Sequence, residues 1–203
     1  MPPFAGQGMC SGIRDAANLA WKIAAVVRGE AGAVILDSYQ EEREPHVRAI
    51  ISTAIAMGQI VCMLDENAAA GRDREMLARK ASGAQAVSVS HPDLVGGHLT
   101  DTPFAGSLFP QAVADDGTRL DAILGLKPIL IQRLPQAERD TALGVLDLDS
   151  SELQPFSTAI DTWLANADAD AVLIRPDRHV FGTGDARRLQ RSWHAMAELQ
   201  PVT

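Results

Sequence analysis

The C-terminal half of the chain contains the stretch Ala171-Val172-Leu173-Ile174-Arg175-Pro176-Asp177-Arg178-His179-Val180-Phe181-Gly182. Two short apolar runs in this stretch flank a central turn sequence. Pro176 presets the backbone of that turn, and the side chain of Asp177 can hydrogen-bond its own backbone. The stretch therefore predicts a β-hairpin, and this hairpin decides how the residues around it are interpreted.

The residues on both sides of the hairpin predict a small α/β unit. Short strands are predicted over 127–131 and 145–148, helices over 120–124 and 156–167, and a last helix over 185–199. The order strand, helix, strand, hairpin and helix is typical of a thioredoxin-like α/β sandwich. The sequence contains no Cys-x-x-Cys, so such a unit is not expected to perform dithiol chemistry.

The N-terminal half predicts helices over 9–64 with no strand between them. Its first helix has apolar positions at the spacing of one buried helix face. These positions are Ile13, Ala16, Ala17, Ala20, Ile23, Ala24 and Val27. Gly29 then stands where a left-handed C-terminal cap is expected. A second helix is predicted to begin at Asp37, with a kink at Pro45 that starts a new helix through about Leu64.

Composition and charge exclude several classes of function. The 203 residues include 18 Lys+Arg against 26 Asp+Glu, a net charge of -8 with no basic block, which argues against nucleic acid and anionic membrane surfaces as partners. The longest nearly apolar stretch, 50–64, is shorter than the ~20 residues of a membrane span. The N-terminus lacks the order of a signal peptide, so a cytoplasmic protein is expected. The five histidines show no metal-ligand spacing, and no metal site is predicted.

The segment Gly6-Gln7-Gly8 directly precedes the first predicted helix. Glycines let a backbone approach a ligand closely, and the free N–H groups of a first helical turn form an anion site that the helix dipole reinforces. Two glycines alone fit an ordinary tight turn better than a ligand site.

A longer run around these glycines resembles a known family. It reads Pro2-Pro3-Phe4-Ala5-Gly6-Gln7-Gly8-Met9-Cys10-Ser11-Gly12-Ile13-Arg14-Asp15-Ala16-Ala17-Asn18-Leu19-Ala20-Trp21-Lys22. It is similar to the flavin-contacting loop and following helix of the FAD-dependent aromatic-ring hydroxylases, and most similar to the 3-(3-hydroxyphenyl)propionate hydroxylases. The resemblance continues at 36–39, at 42–45 and at 173–182, and is weaker through 67–105. Matches of this length at both ends of a chain are far more specific than a glycine triplet.

The resemblance implies an α/β fold in two parts. Residues 1–66 would be a helical remnant of the FAD and substrate domain that contains the flavin-contacting loop. Residues 67–105, rich in Gly, Ala and Pro, would be a linker, and residues 106–203 a thioredoxin-like C-terminal domain. The pattern of the linker itself allows a short helix over 74–81. Homo-oligomerisation is a further expectation.

The resemblance also implies a function and a site. The family uses FAD and NADH or NADPH to hydroxylate a small phenolic substrate, here one similar to 3-hydroxyphenylpropionate. The backbone N–H groups of Gly8, Met9 and Cys10 would stabilise negative charge on the reduced flavin, Gly6 and Gln7 would shape the loop, and Pro3 would line the wall beside the ring system. The residues assigned to cofactor binding are therefore Pro3, Gly6, Gln7, Gly8, Met9 and Cys10. No catalytic side chain is assigned. Asp15 and Asn18 are expected to tie the helix to neighbouring backbone, and Trp21 is expected to pack against a domain that this chain lacks.

The sequence departs from the family by what it lacks. It contains neither the Gly-x-Gly-x-x-Gly that binds the ADP part of FAD nor the Gly-Asp motif that contacts the ribityl chain. The chain is therefore expected to be the C-terminal portion of such a hydroxylase and inactive alone. The alternative is a non-catalytic module in which the thioredoxin-like half mediates dimerisation or docking. The sequence does not distinguish among phenols, between NADH and NADPH, or between a truncated chain, a shortened gene and a misassigned start codon.

Overall fold

The computed structural model describes residues 2–84, 92–135, 137 and 143–197. The helices are α1 (Gly8–Val27), α2 (Asp37–Val61), α3 (Glu66–Ala81), α4 (Leu120–Leu124), α5 (Ser157–Asn166) and α6 (Ala186–Ala197). Short 3-10 helices cover Pro3–Ala5, Ala33–Leu36 and Gln154–Phe156. The strands are β1 (Ile129–Gln132), β2 (Gly144–Asp147), β3 (Ala171–Ile174) and β4 (Val180–Gly184).

The four strands form one sheet in the order β2-β1-β3-β4. Strands β1 and β2 are parallel, with Ile129 opposite Gly144. Strand β3 is antiparallel to both β1 and β4. The hairpin β3–β4, the helix α5 before it and the helix α6 after it reproduce the thioredoxin-like arrangement, so the predicted α/β fold class is confirmed. The last helix ends at Ala197, and the rest of its predicted span lies outside the described residues.

Each face of the sheet packs against a separate hydrophobic core, because alternate residues of a strand point to opposite faces. On one face, Ile131 and Val172 pack with residues of α5 such as Ile160 and Leu164. On the other, residues of all four strands pack with α6 and also with α1. That second cluster contains Leu130, Leu173, Phe181, Leu189, Trp193, Trp21 and Ile35. Helix α1 is thus part of the core of the C-terminal unit.

The buried face of α1 differs from the predicted one. Its buried residues are Ser11, Asn18, Trp21, Lys22 and Ala25. The predicted apolar face instead faces outward: Ile13 is 60% exposed and Val27 is 80% exposed. The prediction was wrong because spacing shows only which residues share a face. Spacing does not show that the polar residues Asn18 and Lys22 bind a buried carboxylate, Glu42, elsewhere in the chain.

Two other boundaries differ from the sequence predictions, and one agrees with them. Helix α2 runs without a break through Pro45, so the predicted new helix start there is wrong. The position is exposed, where water can take the place of the hydrogen bond that proline cannot donate. Helix α3 occupies 66–81, with Asp65 Oδ1 accepting from Ala68 N at 2.7 Å, so the helix expected over 74–81 begins earlier in the predicted linker. Gly29 has φ +70°, as the predicted cap requires.

Among the described residues, no single helix is long and apolar enough to cross a membrane. The bent pair 33–61 and 66–81 meets the length and composition criteria only when its two helices are taken together.

Candidate functional site

The loop before α1 turns sharply at Gly6, which has φ +62°. Its N–H donates to Pro3 O at 2.9 Å, and this closes the short helix that precedes it. A side chain is disfavoured in this left-handed conformation. The turn delivers the backbone to Gln7, whose carbonyl accepts the first helical hydrogen bond from Ser11 N at 2.8 Å.

The first turn of α1 presents backbone donors at the surface. The N–H groups of Gly8, Met9 and Cys10 precede the first helical hydrogen bond, and no described side chain caps the N-terminus. A Cβ at Gly8 would meet nothing within 4 Å, and Met9 is 76% exposed. The first turn contains no acidic residue. Free donors, an open approach and the positive end of a 20-residue helix are features that favour the binding of an anionic or polar planar group.

Two contacts fix the loop against the helices. The ring of Phe4 lies against Gly58 of α2 so closely that a Cβ there would come within 2.5 Å of Phe4 Cε2. Arg14 Nη1 donates to Gln7 Oε1 at 3.3 Å. The loop thus packs against α2 through its own Phe4 ring and is hydrogen-bonded to Arg14 of α1. Of the remaining predicted site residues, Pro3 is exposed and Cys10 is a half-buried free thiol.

A buried charge network lies on the opposite side of α1, and Glu42 of α2 is its centre. Arg175 donates to both carboxylate oxygens of Glu42, from Nη1 to Oε1 at 2.9 Å and from Nη2 to Oε2 at 2.8 Å. Lys22 Nζ lies 3.0 Å from Glu42 Oε2. All three side chains are fully buried. The backbone N–H of His98 donates to Glu42 Oε1 at 2.8 Å.

Asp177 supplies the second carboxylate of the buried charge network. Arg175 Nη2 donates to its Oδ2 at 2.6 Å. Asn18 Nδ2 bridges the two acids, since it donates to Glu42 Oε2 at 2.7 Å and to Asp177 Oδ2 at 3.1 Å. Two cations and two anions therefore balance inside the protein, which is the condition for burying charges without a large penalty.

Burial and neighbouring charges shift the pKa values of this network in a consistent way. Burial would raise the pKa of Glu42, but Arg175, Lys22 and Asn18 outweigh it and hold that pKa at about 2. The pKa of Asp177 lies well below its ordinary value because Arg175 outweighs the opposing effect of burial. Burial lowers the pKa of Lys22 to about 8 in spite of Glu42. Both carboxylates are therefore charged at neutral pH.

An aromatic cluster covers the network on the side of the sheet. The ring of His98 lies 4.7 Å from Trp193, 5.2 Å from Phe181 and 5.8 Å from Trp21, measured between ring centroids. Arg175 Cζ lies 5.2 Å from the centre of the Trp21 ring. Burial, with Arg175 second, lowers the pKa of His98 to about 3, so this ring is neutral at physiological pH.

The sequence analysis missed most of this network. Asn18 was expected to tie α1 to neighbouring backbone, and it binds two carboxylates instead. Asp15 likewise pairs with a side chain, accepting from Arg43 Nε at 2.8 Å. Trp21 was expected to face a domain that this chain lacks, but it stacks on Trp193 with ring centroids 5.9 Å apart. A usable signal was the spacing of four between the polar residues at 18 and 22, which places both on one helix face.

Two protein families match the chain. The family described as FAD binding domain matches residues 1–54, and the family described as HcaD C-terminal domain matches residues 122–199.

Relatives with assigned names match most of the chain. A probable NADH-specific resorcinol 4-hydroxylase of Rhodococcus jostii is 35% identical over 202 residues, which cover 90% of this chain and 37% of that protein. A 3-(3-hydroxy-phenyl)propionate/3-hydroxycinnamic acid hydroxylase of Comamonas testosteroni is 37% identical over 151 residues, covering 66% of this chain and 26% of the relative. The chain thus spans well under half the length of these relatives.

Solved structures show the same fold. The flavin-dependent monooxygenase PieE in complex with FAD and substrate aligns with a TM-score of 0.71 at 22% identity, covering 98% of this chain and 46% of that chain. RebC-10x soaked with chromopyrrolic acid, with bound 7-carboxy-K252c, aligns with a TM-score of 0.65 at 22% identity, covering 96% of this chain and 43% of that chain. The sequence resemblance at the two ends of the chain is therefore confirmed by family, by relatives and by fold.

Proposed function

We propose that this chain, which corresponds to the C-terminal part of the FAD-dependent aromatic hydroxylases, supplies one wall of the flavin site of such an enzyme. The enzyme would use NADH or NADPH to hydroxylate a small phenol of the 3-hydroxyphenylpropionate type. The observation that supports this most is the N-terminus of α1, where Gly8, Met9 and Cys10 offer backbone N–H groups with an open approach.

The residues of the loop fit a flavin because its pyrimidine edge is polar and becomes negative on reduction. When bound, FAD would supply the redox chemistry of the hydroxylation. The N–H groups of Gly8, Met9 and Cys10 would donate to that edge, and the dipole of α1 would stabilise its charge. Gly6 and Gln7 would shape the backbone of the loop, and Pro3 would line the wall beside the flavin ring system. The role of each residue uses its backbone or shape, so no proton transfer is assigned to a side chain.

The chain is proposed to be inactive alone because it would hold only one side of the flavin. It lacks the glycine-rich nucleotide motif that cradles a pyrophosphate. The outward apolar face of α1 is consistent with this, since Ile13, Ile23 and Val27 are 60%, 45% and 80% exposed. The chain spans 37% of the Rhodococcus relative, so in a full-length enzyme of that kind the pyrophosphate site would lie in the part that this chain does not match.

The first experiment titrates FAD into the purified chain of 203 residues. We expect no stoichiometric binding, because most of the affinity would come from the absent pyrophosphate site. A purified chain with close to one equivalent of flavin would contradict the proposal that it is incomplete.

The second experiment joins the preceding part of the Rhodococcus relative to this chain and compares two substitutions in the fusion. Gly8→Val should weaken FAD binding by about 30-fold or more, since it blocks the helix end and loses up to ~2 kcal/mol of dipole interaction. Cys10→Ser is the matched control and should change little, because only its N–H is used. FAD dissociation and anaerobic reduction by NADH measure both effects. A crippling Cys10→Ser with a mild Gly8→Val would refute the backbone assignment.

A further inference from the structure

We propose that Arg175 is a positioning residue for the candidate flavin loop, which comprises residues 3–10. Arg175 would act by holding Glu42 of α2, which in turn holds Asn18 of α1. This inference rests on the proposed function above, because it concerns what the loop is positioned for. It assigns a role to a residue whose connection to α1 runs through the two carboxylates that Asn18 also binds.

The first step is that one guanidinium joins parts of the chain that are distant in sequence. Arg175 follows β3 directly, and its fork reaches both oxygens of Glu42, 133 positions away. Its Nη1 also donates to His98 O at 3.1 Å. The planar fork of arginine fixes direction as well as distance, which a lysine does not. The C-terminal unit and α2 are therefore held in one defined orientation.

The second step connects this fork to α1. Asn18 Nδ2 reaches both carboxylates that Arg175 holds, and Lys22 reaches Glu42 one helical turn later. Asp15, on the same side of α1, pairs with Arg43 of α2. Successive turns of α1 are thus fixed by directional polar contacts.

The third step carries the constraint to the loop. Asn18 lies ten positions after Gly8, which is ~15 Å along an α-helix. An α-helix of this length transmits a shift along its axis almost undiminished. A change in where Asn18 sits would therefore move the N–H groups of the first turn by the same amount, and a flavin contact is sensitive to such shifts.

The apolar contact between the two parts does not replace this network. Trp21 stacks on Trp193 at 5.9 Å and holds α1 near α6. Packing of this kind is less directional than a hydrogen-bonded fork, so on its own it tolerates small shifts of the helix. The hydrogen-bonded network fixes the position of α1, and the aromatic contact stabilises the packing of α1 against α6.

The test uses hydrogen exchange in the chain of 203 residues. Arg175→Lys keeps the charge and removes the fork, and Asn18→Ala is a milder change should Arg175→Lys fold poorly. Either substitution should speed exchange of α1 amides from Ser11 onward by about tenfold, which corresponds to ~1.4 kcal/mol of lost coupling. Exchange in strands β1 and β3 should stay as it is, whereas a merely structural role would speed exchange everywhere.

The control is Arg133→Lys, which likewise keeps the charge and removes a guanidinium fork, here one that pairs with Asp161 at 2.8 Å near the surface of the C-terminal unit. It should leave exchange in α1 unchanged. Unchanged α1 exchange in both Arg175→Lys and Asn18→Ala, or equal acceleration in α1 and the sheet, would overturn the proposal.

A second readout uses the FAD-containing fusion described above. Asn18→Ala should shift the visible absorption bands of the bound flavin, since these bands respond to its hydrogen-bond donors. Unshifted bands together with faster α1 exchange would overturn the positioning role. A fusion that binds no FAD even without substitution would count against the proposed function, and the exchange result would still decide whether Arg175 controls α1.

Discussion

Substituting His98 by phenylalanine should remove a large part of the acid sensitivity of this protein. The ring of His98 is 3% exposed, and its Nε2 has no hydrogen-bond partner among the described residues. Burial lowers its pKa to about 3, with the charge of Arg175 as the next cause and Glu42 only partly opposing it. Protonation of this ring is thus strongly disfavoured in the folded state.

The sign and size of the effect follow from linkage. The unfolded chain binds a proton at this histidine below its ordinary pKa of about 6.5, while the folded chain does so only near 3. Between these values the unfolded state holds more protons, so the free energy of unfolding falls as the pH falls. From about pH 8 to about pH 5 the two pKa values give a loss of ~2 kcal/mol from this one group. The carboxylates of the buried charge network begin to contribute only below about pH 4.5.

His98→Phe keeps the aromatic packing against Trp193 and Phe181 and leaves the backbone contacts to Glu42 and Arg175 intact. Urea unfolding at a series of pH values should therefore show a curve that is flatter by ~2 kcal/mol between about pH 8 and about pH 5. Leu126→Gln, at an exposed position without a titratable side chain, is the control and should keep the original slope. An unchanged slope in His98→Phe would refute the argument that the buried ring is the acid-sensitive group.

Two further predictions concern stability and association. Gly97→Ala should destabilise the fold by ~2 kcal/mol more than Gly96→Ala in urea unfolding. Both positions have positive φ, but only at Gly97 would the Cβ lie 2.5 Å from Glu42 Cγ. Equal losses of stability would show that Glu42 can shift at little cost. The chain should self-associate with rising concentration in light scattering, and Ile13→Glu should reduce this while Leu126→Glu, 86% exposed on the C-terminal unit, should not; a wild-type chain that stays monomeric would contradict the idea that α1 drives association.

The sheet could be predicted from sequence because its signals are local. The turn at Pro176 and the apolar runs beside it specify the hairpin within a dozen residues, and the strand predicted over 127–131 overlaps β1. The same holds for the cap at Gly29, where a positive φ is a property of one residue. Such features depend on neighbours in the chain, and the sequence states them directly.

The burial of α1 could not be predicted in this way because its partners are remote. Asn18 and Lys22 are buried because they bind Glu42, which Arg175 also binds. Glu42 lies 24 and 20 positions after them in the chain, and Arg175 lies much further on, in the C-terminal unit. No periodicity reveals that two carboxylates and a guanidinium converge on that face. For the same reason His98, which falls in the predicted linker, showed no sign of its place at the centre of an aromatic cluster.

The two faces of α1 therefore do different physical work. The polar face is held by directional contacts whose net contribution is modest, because buried ion pairs gain in attraction about what they lose in solvation. The apolar face remains outward, and full burial of a side chain such as Ile13 or Val27 is worth ~1.5–3 kcal/mol. Covering that face would gain several kcal/mol without disturbing the network behind it. The proposed self-association through α1 therefore uses its apolar side, and the contacts of Asn18 and Lys22 with Glu42 on the buried side would stay in place.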